Sequence, residues 1–462
     1  MAVRVCYFLE EHNMNKKHHS IGTALVTSAL LMAVLSTSHA ETKQMYGKKS
    51  LKVDDTNLKT AVQMIEEGKH IFRFDTFGDE SFWGGQLRLH EAIAGKDNGG
   101  VGPGVSPVVA LSLGLKVDVD ALPKKLRKKI KRGRIDLEDP ATTLALLKLN
   151  AVIGIKGIFD PLDQLESVGI TCALCHSNVD DSFAPGIGHR LDGWASRDLN
   201  VGAIIASAPD LTPFATLLGV DQQTVRDMLL SWGPGKFDDG VVLDGRLIKP
   251  DGSPAAPLIP PAFGLAGVNL HTWTGWGGVS HWNALIAVLA MGGEGRFFDP
   301  RLRDSSKFPI AAAHGFDDIR IEPKMDKVTA KLPALHLYQL SLTAPKPPED
   351  SFDQLAAQRG EKIFNSKAQC YVCHVPPLFT EPGWNIRKPE EIGIDAFQAE
   401  RSPDSGYRTT PLKGLWTHTK GGFYHDGRFA TLSDVVEHYN GFFGLDLEDT
   451  EKNDLVEYMK SL

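Results

Sequence analysis

The sequence predicts a mainly α-helical protein of two domains, the first enlarged by insertions. Three observations carry this expectation. Strand-like alternation of apolar and polar residues is scarce along the 462 residues, whereas apolar side chains recur at helical spacing in several windows. At roughly 150 residues per domain, the length allows two to four domains. A stiff run, Pro345-Lys346-Pro347-Pro348, follows one apolar segment and precedes a fresh one, and marks the main boundary. Hydrophobic residues make up 42% and charged residues 23%, which excludes a disordered chain and a polytopic membrane protein. A net charge of -7 gives no reason to expect nucleic-acid binding.

From the N-terminus, Lys16-Lys17 precedes an apolar stretch, Ile21 to Leu35, that leads into Ser38-His39-Ala40. A basic start, an apolar core and a small-x-small site describe a signal peptide over residues 1–40, cleaved near Ala40. The stretch is short for a membrane anchor, which needs about 20 apolar residues. No stable membrane anchor is therefore expected. Glu10 and Glu11 fit a signal poorly, so translation starting at Met14 is an alternative; Cys6 is lost from the mature chain either way.

Residues 41–342 form the expected first domain. Leu58, Val62, Ile65, Ile71 and Phe74 are spaced for a helix over 57–74, and Asp97 to Pro107 is a Gly-rich loop. Lys124 to Arg134 holds eight bases in eleven residues, either a solvated helix face or a docking patch for an acidic partner. Helices are expected around Asp139 to Ile153, Gln222 to Trp232 and Leu332 to Leu342, with an extended loop or hairpin insertion at Gly233 to Pro261. Residues 343–350 are the linker, and 351–462 the second domain.

Of the five cysteines, the four in the expected mature chain fall in two copies of one pattern, Cys172-Ala173-Leu174-Cys175-His176 and Cys370-Tyr371-Val372-Cys373-His374. This is the signature for covalent c-type haem attachment. Thiols three residues apart lie about one helical turn apart, matching the two vinyl groups on a haem edge, and the adjoining His reaches the iron. A zinc site or a thioredoxin-like pair explains neither the two histidines nor the use of every mature cysteine. Two covalently bound c-type haems are expected, with Cys172, Cys175, Cys370 and Cys373 as attachment points and His176 and His374 as proximal ligands. The domains are then two cytochrome c-like haem domains, and export agrees with c-type attachment. Gly68-Lys69-His70-Ile71-Phe72 also echoes Gly360-Glu361-Lys362-Ile363-Phe364, but the first motif comes about a hundred residues later and the second within ten. An insertion from about Phe77 to Ser167 accounts for the difference.

With these motifs, Tyr407-Arg408-Thr409-Thr410-Pro411-Leu412-Lys413 and Phe423-Tyr424-His425-Asp426-Gly427-Arg428 make the chain resemble the bacterial di-haem cytochrome c peroxidase family and its MauG-type relatives. The resemblance is best from Asp353 onward and fragmentary over Gly68 to Met291. It implies a peroxide-reacting N-terminal haem and an electron-receiving C-terminal one, supplied by a small periplasmic cytochrome or cupredoxin. In the family the sixth ligand lies fourteen residues after the His of this block, Met in peroxidases and Tyr in MauG-type enzymes. Here that position is Tyr439, with His438 beside it as the alternative and His425 in a supporting place. Gly186-Ile187-Gly188-His189 resembles a family segment whose His caps the N-terminal haem at rest, which makes His189 a candidate ligand and catalytic residue. His271, His281 and Met291 are further candidates for that face.

Departures from the family bear on function. The stretch Thr272 to Leu285 lacks the family's catalytic Glu, leaving His281, His271 or an unplaced carboxylate for acid–base work. Thr419-Lys420-Gly421-Gly422 replaces a family segment linked to calcium, so calcium is possible on resemblance and weakened by this change. Trp273, Trp276 and Trp282 either fill a haem pocket or relay an electron. The competing reading is a non-catalytic electron carrier with two six-coordinate haems.

Overall fold

In a computed structural model, residues 48–462 are described, with side chains from Val53 onward. The expected signal peptide and its cleavage near Ala40 lie outside the described residues. Two compact units divide at Val62 and Gln63, and a long helix, Lys48–Phe74, runs through that division.

The unit from Gln63 to Leu462 is mainly helical, with four small two-stranded sheets among its described residues. Local chemistry starts its helices. Asp221 accepts from the Thr224 amide at the head of Gln222–Ser231, and Asp353 accepts from Leu355 and Ala356 at the head of Gln354–Phe364. Thr431 and Asp434 form a reciprocal capping box at the start of Leu432–Phe443. Each cap satisfies amides that a helix leaves free at its first turn. The helix expected over Asp139 to Ile153 stops at Lys148, because Asn150 takes a positive φ and the chain turns into the hairpin Ile155–Phe159 with Leu165–Ile170. The Gly233 to Pro261 segment is a loop closed by bridges Lys236 to Leu258 and Ile248 to Pro254, with one helical turn, Val241–Asp244. Among the described residues no helix is long and apolar enough to cross a membrane.

Two hydrophobic clusters fill this unit, one drawn from Ile71 to Tyr338 and one from Phe364 to Met459. The same helix crossing occurs in both. A Cβ at Gly68 would collide with the Ala334 carbonyl and press on Tyr338; a Cβ at Gly360 would collide with the Asp454 carbonyl and press on Tyr458. In each case the glycine lets a following helix lie against its backbone. A phenylalanine one turn on then meets the tyrosine edge to face, Phe72 with Tyr338 at 5.5 Å and Phe364 with Tyr458 at 5.2 Å between centroids. The repeated Gly-x-x-Ile-Phe segment is thus one helix-packing device used twice.

Candidate functional site

The hairpin ending at Ile170 delivers the first cysteine motif. Thr171 donates its amide to the Gly154 carbonyl at 3.0 Å, and Gly154, at φ 84°, sits so close to Leu174 that a side chain there would overlap its backbone. The turn Ala173–His176 follows. The Gly193 amide on the His176 carbonyl (2.8 Å) and the Ser196 amide on the Cys175 carbonyl (2.9 Å) hold it from the other side. Cys172 and Cys175 form no disulfide, and burial pushes both thiols up to about 12, so they stay protonated at neutral pH. Burial pushes the His176 imidazole down to about 4, against an upward pull from the Pro260 carbonyl, and Nδ1 lacks a well-aligned partner.

These three side chains line a cavity of about 1650 Å³, its open mouth included. Its lining is mostly apolar, with a few polar groups, as a bound cofactor of haem type requires. The walls carry Trp83, Trp273, Trp276 and Trp282 together with His271, Met291 and Asp239. Trp273 donates to the Leu258 carbonyl at 2.7 Å and Trp276 to Asp299 at 2.9 Å, while the Trp282 indole N–H has no partner. His271 is 6% exposed; Nε2 lies 3.0 Å from the Val268 carbonyl and Nδ1 is unpartnered. Burial, with Arg408 nearby, pushes its pKa down to about 4.

Asp239 stands apart from its neighbours. Arg401 grips Asp238 at 3.0 Å and Asp244 at 2.6 Å, and all three side chains are almost wholly buried. Burial alone would lower the Arg401 pKa, but the two carboxylates reverse this and hold it above its ordinary value. Asp239, between them in sequence, has no side-chain partner and faces the cavity. Burial first, then the Asp238 charge, push it up to about 6.

Neither predicted catalytic histidine lines this cavity. His189 is exposed, with Nδ1 2.8 Å from Asp120, and this partner raises its pKa. His281 packs on Trp276, Trp282 and Phe297, with Nε2 3.6 Å from Asp299, a carboxylate already held by Arg301. Burial lowers its pKa, the Asp299 charge opposing. His271 and Met291 do line the cavity. Asp239 escaped sequence reasoning because only the folding of remote segments brings it to the wall.

The second motif begins in the short turn Cys370–Val372. His374 Nδ1 lies 3.1 Å from the Phe379 carbonyl, which leaves Nε2 available as a ligand. Burial lowers its pKa. Tyr439 comes from Leu432–Phe443; burial raises its pKa, the Tyr424 hydroxyl opposes, and the Cys373 and Cys370 thiols add to the rise, so its phenol sits within reach of their charge. His438 Nε2 is 2.9 Å from the Ile392 carbonyl. His425 is buried and stacked on Tyr407 at 4.9 Å, and burial pushes it down to about 4.

For calcium, Asp395, His425 and Asp426 are the grouped candidate ligands among the described residues. Arg428 already bonds both carboxylates and Lys249 lies 3.1 Å from Asp426, while Lys420, in the segment that departs from the family, is paired with Asp198. The cations that a calcium ion would replace are thus supplied by the chain.

A large anionic group fits what is left over. Arg197 is buried, burial lowers it to about 10, and none of its three guanidinium nitrogens has a partner. Arg408, on the cavity wall, donates to the Thr272 and Leu270 carbonyls and has no carboxylate. A buried cation without a counter-charge is costly, so Arg408, on the cavity wall, suits a carboxylate of a bound haem.

No protein-family model matches the chain. A cytochrome-c peroxidase of Denitromonas iodatirespirans is 28% identical across a match covering 23% of this chain and 40% of that protein. The chain therefore matches less than half of that relative's length. A solved structure of hydrazine synthase from Kuenenia stuttgartiensis shares 19% identity, covers 46% of this chain and 75% of that one, and superposes with a TM-score of 0.26.

Proposed function

We propose that this protein is an exported, periplasmic di-haem c-type cytochrome that reduces peroxide, or carries out a related MauG-type oxidation, at the site of His176. One observation carries the reading: the first cysteine motif opens into a large cavity whose wall also holds an unpaired carboxyl, Asp239, and a neutral histidine, His271. The distant likeness to a cytochrome-c peroxidase supports haem-based redox chemistry.

Cys172 and Cys175 would hold the first haem through thioethers, and His176 would supply an iron ligand. Cys370, Cys373 and His374 would hold the second, and Tyr439 would be a further candidate to hold it. When bound, each haem supplies a redox-active iron that passes single electrons. The protein's own part is the rest. Asp239 holds or releases a proton at its carboxyl near pH 6, where an acid–base group works well in both directions. His271, neutral at pH 7, offers Nδ1 to a hydrogen bond, and the tryptophans exclude water. His189 and His281 keep the surface and packing places described above. A small cytochrome or cupredoxin would deliver electrons to the second haem.

The carrier reading, with both irons six-coordinate, is favoured by one observation: His271 and Met291, both able to ligate iron, stand on the same cavity wall. Mixing the intact protein with peroxide and a pre-reduced small cytochrome c tests the choice. Peroxide-dependent oxidation of the donor supports the enzyme; no donor oxidation and no change in the haem spectrum overturn it.

A further inference from the structure

Away from the cysteine motifs lies a second cavity, of about 960 Å³ with its open mouth, between the helices Lys124–Lys131 and Pro140–Lys148. Its walls are aliphatic, with Leu111, Leu126, Ile130, Leu137, Leu146 and Ile187 prominent. Thr143 also lines it; this residue is 5% exposed, and its hydroxyl has no hydrogen-bond partner.

The cavity is roofed by charge. Leu126 and Ile130, four residues apart, turn one helix face inward, and Lys124, Lys125, Lys128, Lys129, Lys131, Arg132 and Arg134 are exposed beside it. None of these seven makes an ion pair among the described residues. Lys131 lies 5.0 Å over the Phe183 ring. Asp139 caps Pro140–Lys148, Asp136 accepts from the Glu138 amide, and Lys116 at the wall is paired with Asp198. In a chain of net charge -7, a concentrated unpaired positive patch over an apolar cavity is complementary to an anion with a hydrocarbon tail.

We propose that this cavity binds a single-chain fatty acid, its tail among the aliphatic side chains and its carboxylate at the basic helix. An acidic protein docking on the patch would use the bases but would leave the aliphatic cavity unexplained.

Calorimetric titration of the intact haem-loaded protein with dodecanoate, below its micelle concentration, tests this. The expected result is saturable one-to-one binding that weakens about fourfold for each methylene removed toward octanoate. Dodecyltrimethylammonium should bind at least tenfold more weakly. Two variants should each weaken dodecanoate at least tenfold: Ala145→Phe, which narrows the cavity at its exposed edge, and the triple change Lys124→Glu, Lys125→Glu, Lys128→Glu, which alters only exposed side chains. Absence of saturable binding overturns the proposal, as does equal binding of the cationic amphiphile. Binding of an acidic small cytochrome or of phosphatidylglycerol vesicles, without binding of free dodecanoate, assigns the patch to that partner and overturns it too.

Discussion

A carboxyl group that titrates near pH 6 on the wall of a reaction cavity can both take and give a proton at neutral pH. Asp239 is such a group, and replacing it tests two consequences. Asp239→Asn should slow the reaction with peroxide by about 10²- to 10⁴-fold and remove the pH-rate limb near 6, with haem content unchanged. Stability should respond in the opposite sense. Between about pH 4, where an unfolded aspartate loses its proton, and about 6, the folded chain binds more protons than the unfolded one. Stability therefore falls as pH rises through that window, and the Asn variant, in urea titrations, should lack this fall. At the second motif, Tyr439→Phe should change the low-spin signal and raise that haem's potential, because a phenolate favours ferric iron; an unchanged spectrum and potential would remove Tyr439 as a ligand. At this scale the cysteine motifs were legible because their chemistry lies within five consecutive residues. Tyr439 is a candidate by its distance from His425, as the family resemblance implies. Asp239 and Arg197 were not legible, since each is defined by what folding leaves unpaired around it.

Among the elements, the loop from Gly233 to Pro261 is held by Arg401, which bonds Asp238 and Asp244 from more than a hundred and fifty residues away in the chain. This places Asp239 at the cavity. Arg401→Met leaves two buried carboxylates without their cation and should cost about 3–5 kcal/mol in denaturant unfolding; a loss under 1 kcal/mol would mean that the loop is held by other contacts. The helix crossings make a separate prediction. Gly68→Ala and Gly360→Ala each force two helices apart, and each should destabilise by about 1–3 kcal/mol. The sequence displayed the two Gly-x-x-Ile-Phe segments as an echo, but not their partners, because Ala334-Tyr338 and Asp454-Tyr458 share only a tyrosine and its spacing. Helix starts were legible from Asp and Thr caps. The early end at Lys148 was not, because it depends on a left-handed Asn150 and a hairpin whose pairing is long-range.

For the whole molecule, the mainly helical fold followed from scarce alternation, and the small sheets that frame the first motif were too short to register in a pattern search. His176 lines a cavity together with Asp239 and His271, whereas Tyr439 lies within electrostatic reach of Cys370 and Cys373, so the two cysteine motifs have different surroundings. The most direct test is the electron-paramagnetic-resonance spectrum of the half-reduced protein before and after peroxide. The account predicts two haems per chain, one high-spin or readily made so, whose signal changes on adding peroxide. Two low-spin haems, both indifferent to peroxide, would contradict it.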